Sequence, residues 1–421
     1  MDYDLDILVV DDSKFFAEGM KTALMDLRLK VVALTDSTKA IDYIRKLRPR
    51  FVLLDIMMPV IDGLNLLKMI KAEDDFQDLR VAMLSSKGFN IDREKSYQAG
   101  AEAFIEKADP FDVLAKRVKK LFNETIKVKF WGTRGSIPVP GKDTIKYGGN
   151  TPCVEVCLGG DSIIIFDAGT GIRVLGDALI QKKTRVRAHI FFTHFHWDHI
   201  QGFPFFAPAY QPENHIIFYG YEDKGSKLGK IISDQMESVY YPVPMTRLGA
   251  NIQFQPLIGN ENYQIENFKI STFYLMHPGN TIGYLLSHHD IKIAYLTDNE
   301  LVSEKYTGKG KKRQNIENSD YNKNIINFSK GVDLLIIDAQ YSNEKYQHKQ
   351  GWGHSRYSDV LEMGMAAGVK KLALFHHDPT HNDDLMDNIV SECQSIIKKR
   401  GLKMECFGAQ EGMEISFQDI L

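Results

Sequence analysis

The stretch Ala188-His189-Ile190-Phe191-Phe192-Thr193-His194-Phe195-His196-Trp197-Asp198-His199 decides how the larger part of this chain is read. Ala188 to Phe192 is an apolar run that reads as a buried strand. Four potential metal ligands follow within the six residues His194 to His199. His194 and His196 are two residues apart, so in extended backbone they point the same way. Asp198 and His199 come where the chain must turn. A lone buried histidine is usually a satisfied core residue. Four ligand-type side chains at the end of one strand have no packing explanation. The arrangement can hold two metals side by side, and two metals at one site usually mean hydrolysis.

Further ligand candidates sit at other strand ends, where a scaffold presents functional side chains. His277 follows the strand Ser271 to Met276, and Pro278 keeps it extended. Asp298 ends the run Ile291 to Thr297, and His376 with His377 ends the run Lys371 to Phe375. Alternation along the backbone lets only one of that pair face a metal. The set divides into His194, His196 and His277 for one metal, and Asp198, His199 and a histidine of the 376–377 pair for the other. Asp298 bridges the two. Such ligands suit zinc first, with manganese or iron as alternatives. Gly-rich turns at Gly132-Thr133-Arg134-Gly135-Ser136, Gly148-Gly149-Asn150 and Gly159-Gly160 punctuate a strand-rich pattern. They suggest a two-sheet core covered by helices.

These stretches, with the Asp167 turn, Gly353-His354-Ser355 and Phe375-His376-His377-Asp378-Pro379, resemble the metallo-β-lactamase superfamily from about Lys129 onward. Within it they are most similar to the branch of ribonuclease Z and cyclic-nucleotide phosphodiesterases. His196 stands where the flavodiiron branch usually has Glu. The resemblance implies an αββα sandwich and selects His376 over His377 as the ligand. It also implies that His354 protonates the leaving oxygen, a task suited to a group titrating near neutrality. His354-Ser355 matches a His-Ser-Thr-type motif in two positions, and Arg356 departs from the third. Asp198 and His354 are the expected catalytic residues, and Asp167 and Asp338 are expected to orient ligands or His354 from behind. The alternative for His354 is an incidental place in a helix-capping segment, with Ser355 as the cap.

All 13 histidines lie between His189 and His381, so the first 188 residues carry different chemistry. There, short apolar strands (Asp6–Val10, Val31–Leu34, Phe51–Leu54, Val81–Leu84, Ala103–Ile105) alternate with amphipathic helices such as Phe15–Leu27 and Phe111–Phe122. This pattern predicts a flavodoxin-like, doubly wound, five-stranded parallel sheet whose site lies at the carboxyl ends of the strands. Those ends carry Asp11, Asp12, Asp55, Ser85 and Lys107. Three converging carboxylates need a cation, and magnesium suits them. Asp55 can then take a phosphoryl group as nucleophile.

This segment resembles a response-regulator receiver domain on Asp11-Asp12, Asp55-Ile56-Met57-Met58-Pro59, Asp62-Gly63, Ser85, Phe104 and Lys107. The resemblance implies Asp55 as phosphoacceptor, Asp12 as main magnesium ligand, a backbone carbonyl ligand from Met57, and Ser85 with Phe104 as a switch pair. Ala108 follows the lysine where the family usually has Pro.

The expected organisation is a receiver over 1–123, a short linker over 124–127 and a hydrolase domain over 128–421. Composition is that of a soluble globular chain: 421 residues, 43% hydrophobic and 25% charged. No apolar run approaches a membrane span. The acidic start Met1-Asp2-Tyr3-Asp4 lacks signal-peptide features, so a cytoplasmic address is expected. The four cysteines form no Cys-x-x-Cys pair and are expected to stay reduced. A formal net charge of −3 gives no pull toward nucleic acid. The expected function is a two-component response regulator whose output hydrolyses a small phosphodiester. A sensor histidine kinase or phosphotransfer protein is the expected partner, and a homodimer is compatible with the reading. Alternatives are a ribonuclease Z-like nuclease and a ligand-sensing module without turnover. Gly202 to Tyr210 reads as core packing rather than a nucleobase wall. Residues 301–330, with the Lys309 to Arg313 cluster, read as a long solvated loop.

Overall fold

The computed structural model describes residues 5–76, 79–86, 90–122, 125–158, 162–183, 185–222, 227–301 and 320–418. The chain divides into two compact units, the first ending at residue 124 and the second spanning Thr125–Gln418. The Lys309 to Arg313 cluster and Gly159-Gly160 lie outside the described residues.

In the first unit, β1 (Leu5–Val10), β2 (Val31–Leu34), β3 (Pro49–Asp55), β4 (Arg80–Ser85) and β5 (Ala103–Glu106) form one parallel sheet in the order β2-β1-β3-β4-β5. Both faces are covered, which is why β1, β3 and β4 read as almost continuous apolar runs. Ile7, Val9, Phe51 and Leu53 pack with Leu114, Ala115 and Val118 of the helix Phe111–Phe122. Leu8, Val10, Val52 and Leu54 face Leu66, Leu67 and Ile70 of the helix Gly63–Ala72. Asp62 caps that helix by accepting from Asn65 N at 2.9 Å. A Cβ at Gly63 would lie 2.0 Å from the carbonyl oxygen of Asp55, so this close approach needs glycine.

The second unit is a sandwich. Its strands are β6 (Thr125–Gly132), β7 (Cys153–Cys157), β8 (Ser162–Phe166), β9 (Arg187–Phe191), β10 (His215–Tyr221) and β11 (Asn251–Leu257). They continue with β12 (Asn262–Ile265), β13 (Phe268–Leu275), β14 (Thr281–His288), β15 (Ile291–Leu296) and β16 (Leu334–Asp338). The last are β17 (Lys371–Phe375), β18 (Glu405–Gly408) and β19 (Glu414–Gln418). One sheet runs β11-β10-β9-β8-β7-β6-β19 and the other β12-β13-β14-β15-β16-β17-β18. Residues 125–127, expected to be linker, are instead the start of β6 and pair with β19.

Phe130, Phe166 and Phe191 of the first sheet meet Tyr284, Tyr295 and Phe375 of the second. Burying each such ring contributes roughly 1.5–3 kcal/mol. The outer faces are covered by the helix Gly171–Gln181 on one side, and by Tyr357–Ala367 and Asp383–Lys399 on the other. This is the αββα arrangement. Phe203, Phe206 and Ala209 are buried in the outer layer, in keeping with core packing of the 202–210 stretch, although Phe205 is exposed. The end of the 301–330 segment is not loop: Asp320–Phe328 is a helix that buries Ile325. All four cysteines are free thiols. Among the described residues, no helix is long and apolar enough to cross a membrane.

Candidate metal centre

The strands β8, β9, β15, β16 and β17 end at one edge of the sandwich, and β13 ends beside them. Asp167, Asp338 and His376 end or directly follow their strands, while His194 and Asp298 stand a few residues beyond theirs. Asp167, Asp298 and His376 all adopt left-handed backbone, with φ of 59°, 55° and 59°. Such turns cost about 1 kcal/mol or more each outside glycine and tend to cluster where side chains must be aimed.

Two ligand sets result. His194, His196, His277 and Asp298 each offer an atom within 4.8 Å of the others, as do Asp198, His199 and His376. Asp298 joins them. Its Oδ2 lies 3.5 Å from Nε2 of both His194 and His277. Its Oδ1 lies 3.1 Å from His199 Nε2 and 3.2 Å from His376 Nε2. These two clustered sets are consistent with a dinuclear metal centre.

Hydrogen bonds behind the histidines set their tautomers. His199 Nδ1 donates to Asp167 Oδ2 at 2.8 Å, His277 Nδ1 to the Gly353 carbonyl at 2.9 Å, and His376 Nδ1 to Gln340 Oε1 at 2.8 Å. Each therefore turns an Nε2 lone pair toward the centre. His277 Nε2 and His196 Nδ1 lie 3.1 Å apart. The buried Nε2 atoms of His194 and His199 have no partner in hydrogen-bond geometry. Lone pairs aimed at one another and left unpaired in the interior are what a cation would satisfy, so the donor set fits the metals. Charge agrees. Burial pushes His194, His196 and His277 down and keeps them neutral. Burial opposes charge on His199 too, yet Asp298, Asp198 and Asp167 outweigh it and push that group well up. This half of the site therefore asks for positive charge.

Asp167 is the best-connected supporting group. Besides His199, it accepts from Thr193 N at 2.9 Å and from Tyr295 Oη at 2.9 Å. Tyr295 stacks on Phe166, with ring centroids 5.0 Å apart, so the core itself braces the ligand. Asp338 Oδ2 accepts from His354 Nδ1 at 2.5 Å. His354 stacks against His376 at 5.1 Å between centroids. Asp338 and His354 also fall within a ligand-like grouping with Asp298 and His376. Ser355 does not cap the following helix, whose N-cap is Arg356. It donates to the Asn299 carbonyl at 2.6 Å and accepts from Leu301 N at 3.0 Å, tying the Asp298 turn to the His354 turn. His377 points away, with Nε2 bonded to the Ala409 carbonyl at 2.8 Å.

Sequence reasoning missed several supports. Gln340 orients His376, Ser136 N donates to Asp198 Oδ2 at 2.8 Å, and Glu300 accepts from Gly351 N and Gly353 N at 2.9 Å. Arg134 is fully buried and donates to the carbonyls of Gly148, Asp378 and His381. Arg134 and Ser136 had a signal in their shared Gly-rich turn, and Gly353 in the Gly353-His354-Ser355 stretch.

The receiver unit gathers its own site. Asp11, Asp12 and Asp55 offer oxygens within 4.8 Å of one another. Lys107 Nζ lies 2.6 Å from Asp11 Oδ2 and 2.7 Å from Asp55 Oδ1. Burial pushes the Asp55 carboxyl up, Lys107 opposes it, and Asp11 and Asp12 add to the rise. Hard oxygen donors with excess negative charge fit magnesium. Ser85 is buried at the end of β4, Phe104 lies in β5 under the Arg93 guanidinium, and the Met57 side chain is exposed in the loop after Asp55. All peptide bonds of the described residues are trans, the Lys107–Ala108 bond included.

Comparison with known proteins agrees with both units. Residues 7–119 match the response regulator receiver domain family, and residues 163–377 match the beta-lactamase superfamily domain. Ribonuclease Z of Pyrococcus furiosus is 26% identical over 289 residues, 61% of this chain and 88% of that protein. A response regulator of Synechocystis sp. is 37% identical over 109 residues, 26% of this chain, and the chain spans only 46% of that protein. A metallo-beta-lactamase fold protein of Bacillus subtilis superposes on 70% of this chain and 100% of its own, at 16% identity and a TM-score of 0.49. A receiver domain implies a cognate kinase or phosphotransfer partner. The chain thus joins a response-regulator receiver domain to a hydrolase domain related to ribonuclease Z, and it belongs to the beta-lactamase superfamily.

Proposed function

We propose that the hydrolase domain cleaves phosphodiester bonds in RNA, and that phosphoryl transfer to Asp55 sets its rate. The observation that carries the reading is the pair of ligand sets sharing Asp298, with the His354–Asp338 pair beside them. Two divalent cations held there, zinc by the histidine-rich donor set, would supply Lewis-acid stabilisation of the phosphoryl oxygens and activate a water. Asp167, Gln340 and Gly353 hold the imidazoles in place. His354, steadied by Asp338, gives a proton to the leaving oxygen.

The relatives favour RNA over the small phosphodiester expected from the sequence, because ribonucleases Z match along most of their length. A small or cyclic phosphodiester is the second reading, favoured by the net charge of −3. Salt separates them: RNA affinity falls steeply with ionic strength, whereas that of a single phosphodiester falls little. In the receiver, Asp11, Asp12 and the Met57 carbonyl are the proposed magnesium ligands, and Ser85 with Phe104 the switch. The test is hydrolysis of a short structured RNA and of an aryl phosphodiester by the metal-loaded chain and its Asp198→Ala and His196→Ala variants. Loss of turnover in both variants supports the site, and full activity in both contradicts it.

A further inference from the structure

Two cavities open beside the centre, and their chemistry differs. One, of about 720 Å³, is lined by His277, Glu300, Tyr321 and Met276, with no lysine or arginine among the described residues. The other, of about 540 Å³, is lined by His354 together with Lys345, His348, Lys349 and Trp352. Its size suits one nucleotide. Lys345 is already engaged, since its Nζ lies 3.0 Å from Asp378 Oδ1 and also contacts Thr380. Lys349 has no carboxylate partner among the described residues. Its Nζ sits 3.6 Å from the centroid of the Trp352 ring.

Trp352 is 57% exposed, unusual for an indole with no covering chain. Its backbone is nevertheless fixed. Gly351 and Gly353 on either side take φ of 80° and 87°, and both donate their N–H to the buried Glu300 carboxylate. A Cβ at Gly353 would lie 2.2 Å from His277 Nδ1, so the loop that carries the indole is locked to a proposed metal ligand. An exposed aromatic face on a rigid loop, with an ammonium and an imidazole beside it, has the parts of a nucleotide-binding surface. The ring stacks a base, and the ammonium with the imidazole N–H takes a phosphate.

We propose that the cavity formed by Trp352, Lys349 and His348 is a nucleotide subsite that holds the leaving-side nucleotide of the RNA. Trp352 stacks on its base, and Lys349 with His348 binds its next phosphate. The leaving side is assigned because His354, the proton donor, lines this cavity and not the other. That assignment rests on the proposed function, while the subsite itself does not.

The test is calorimetric titration of the full chain with adenosine 3′,5′-bisphosphate, repeated with Trp352→Ala and Lys349→Gln. Both side chains reach the surface, so neither change threatens the fold. The expected result is binding by the wild type, with Kd raised about tenfold in each variant. Binding in the wild type that is unchanged in both variants, or no binding in the wild type, overturns the subsite. Titration needs no turnover. Bisphosphate binding by a chain that cleaves no phosphodiester would support the subsite while removing the ribonuclease reading. RNA cleavage with unchanged binding in both variants would remove the subsite alone.

Discussion

His354 and Asp338 bear on the chemistry most sharply at the level of single residues. The 2.5 Å hydrogen bond between them fixes which imidazole nitrogen faces the reacting molecule. A donor to the leaving oxygen matters only when that oxygen is a poor leaving group. His354→Ala should therefore slow RNA cleavage about a hundredfold or more, and hydrolysis of a p-nitrophenyl diester far less. Equal losses on both substrates, from steady-state rates, would assign His354 to packing. The clustered donors were legible in the sequence because their chemistry is local: His194 to His199 crowds them into one turn. Gln340 was not legible, and Gly353 only as a motif position without its packing role. A glutamine that holds His376, or a glycine that leaves room for His277, gains its role only when distant strands meet.

Among elements, the strand ends carry the site and the turns after them hold it. Arg134 links the Gly148 turn to the segment 378–381 that follows His376. Arg134→Met would leave the Gly148 and His381 carbonyls unpaired, while the Asp378 carbonyl keeps His381 N as donor at 2.9 Å, a loss of about 2–5 kcal/mol. A lower denaturation midpoint together with lower metal content would show it, and wild-type values for both would contradict it. His381 tests the same segment through pH. Burial pushes it down to about 4, so in the folded chain it stays neutral where the unfolded chain would bind a proton. The unfolded state therefore takes up more protons between pH 6.5 and 4, and stability falls as pH drops through that window. His381→Gln should lose about 2 kcal/mol less than wild type between pH 7 and 5, measured by urea unfolding. Equal losses would contradict it. Strands such as Ser162–Phe166 and Lys371–Phe375 were readable residue by residue because both faces are buried and the runs are continuous. The helix Asp320–Phe328 was not, since its polar sequence hides the buried Asn322 and Ile325 among polar neighbours.

At the scale of the whole molecule, histidine is confined to His189–His381, inside the second unit, which already begins at Thr125. Net charge says little about any one site. It sums over every residue, whereas Lys345, His348 and Lys349 gather at one cavity. Control by the receiver predicts a measurable coupling. A beryllofluoride mimic of phospho-Asp55 should change kcat/KM of the hydrolase at least about fivefold, and Asp55→Asn should abolish the response. Unchanged rates and oligomeric state would remove the coupling. The central claim, a two-metal phosphodiesterase behind a receiver, is tested most directly by cleavage of a short structured RNA by the metal-loaded chain. The account predicts cleavage by the wild type and its loss in Asp198→Ala. Cleavage at the wild-type rate in that variant, or none by the fully loaded wild type, would contradict it.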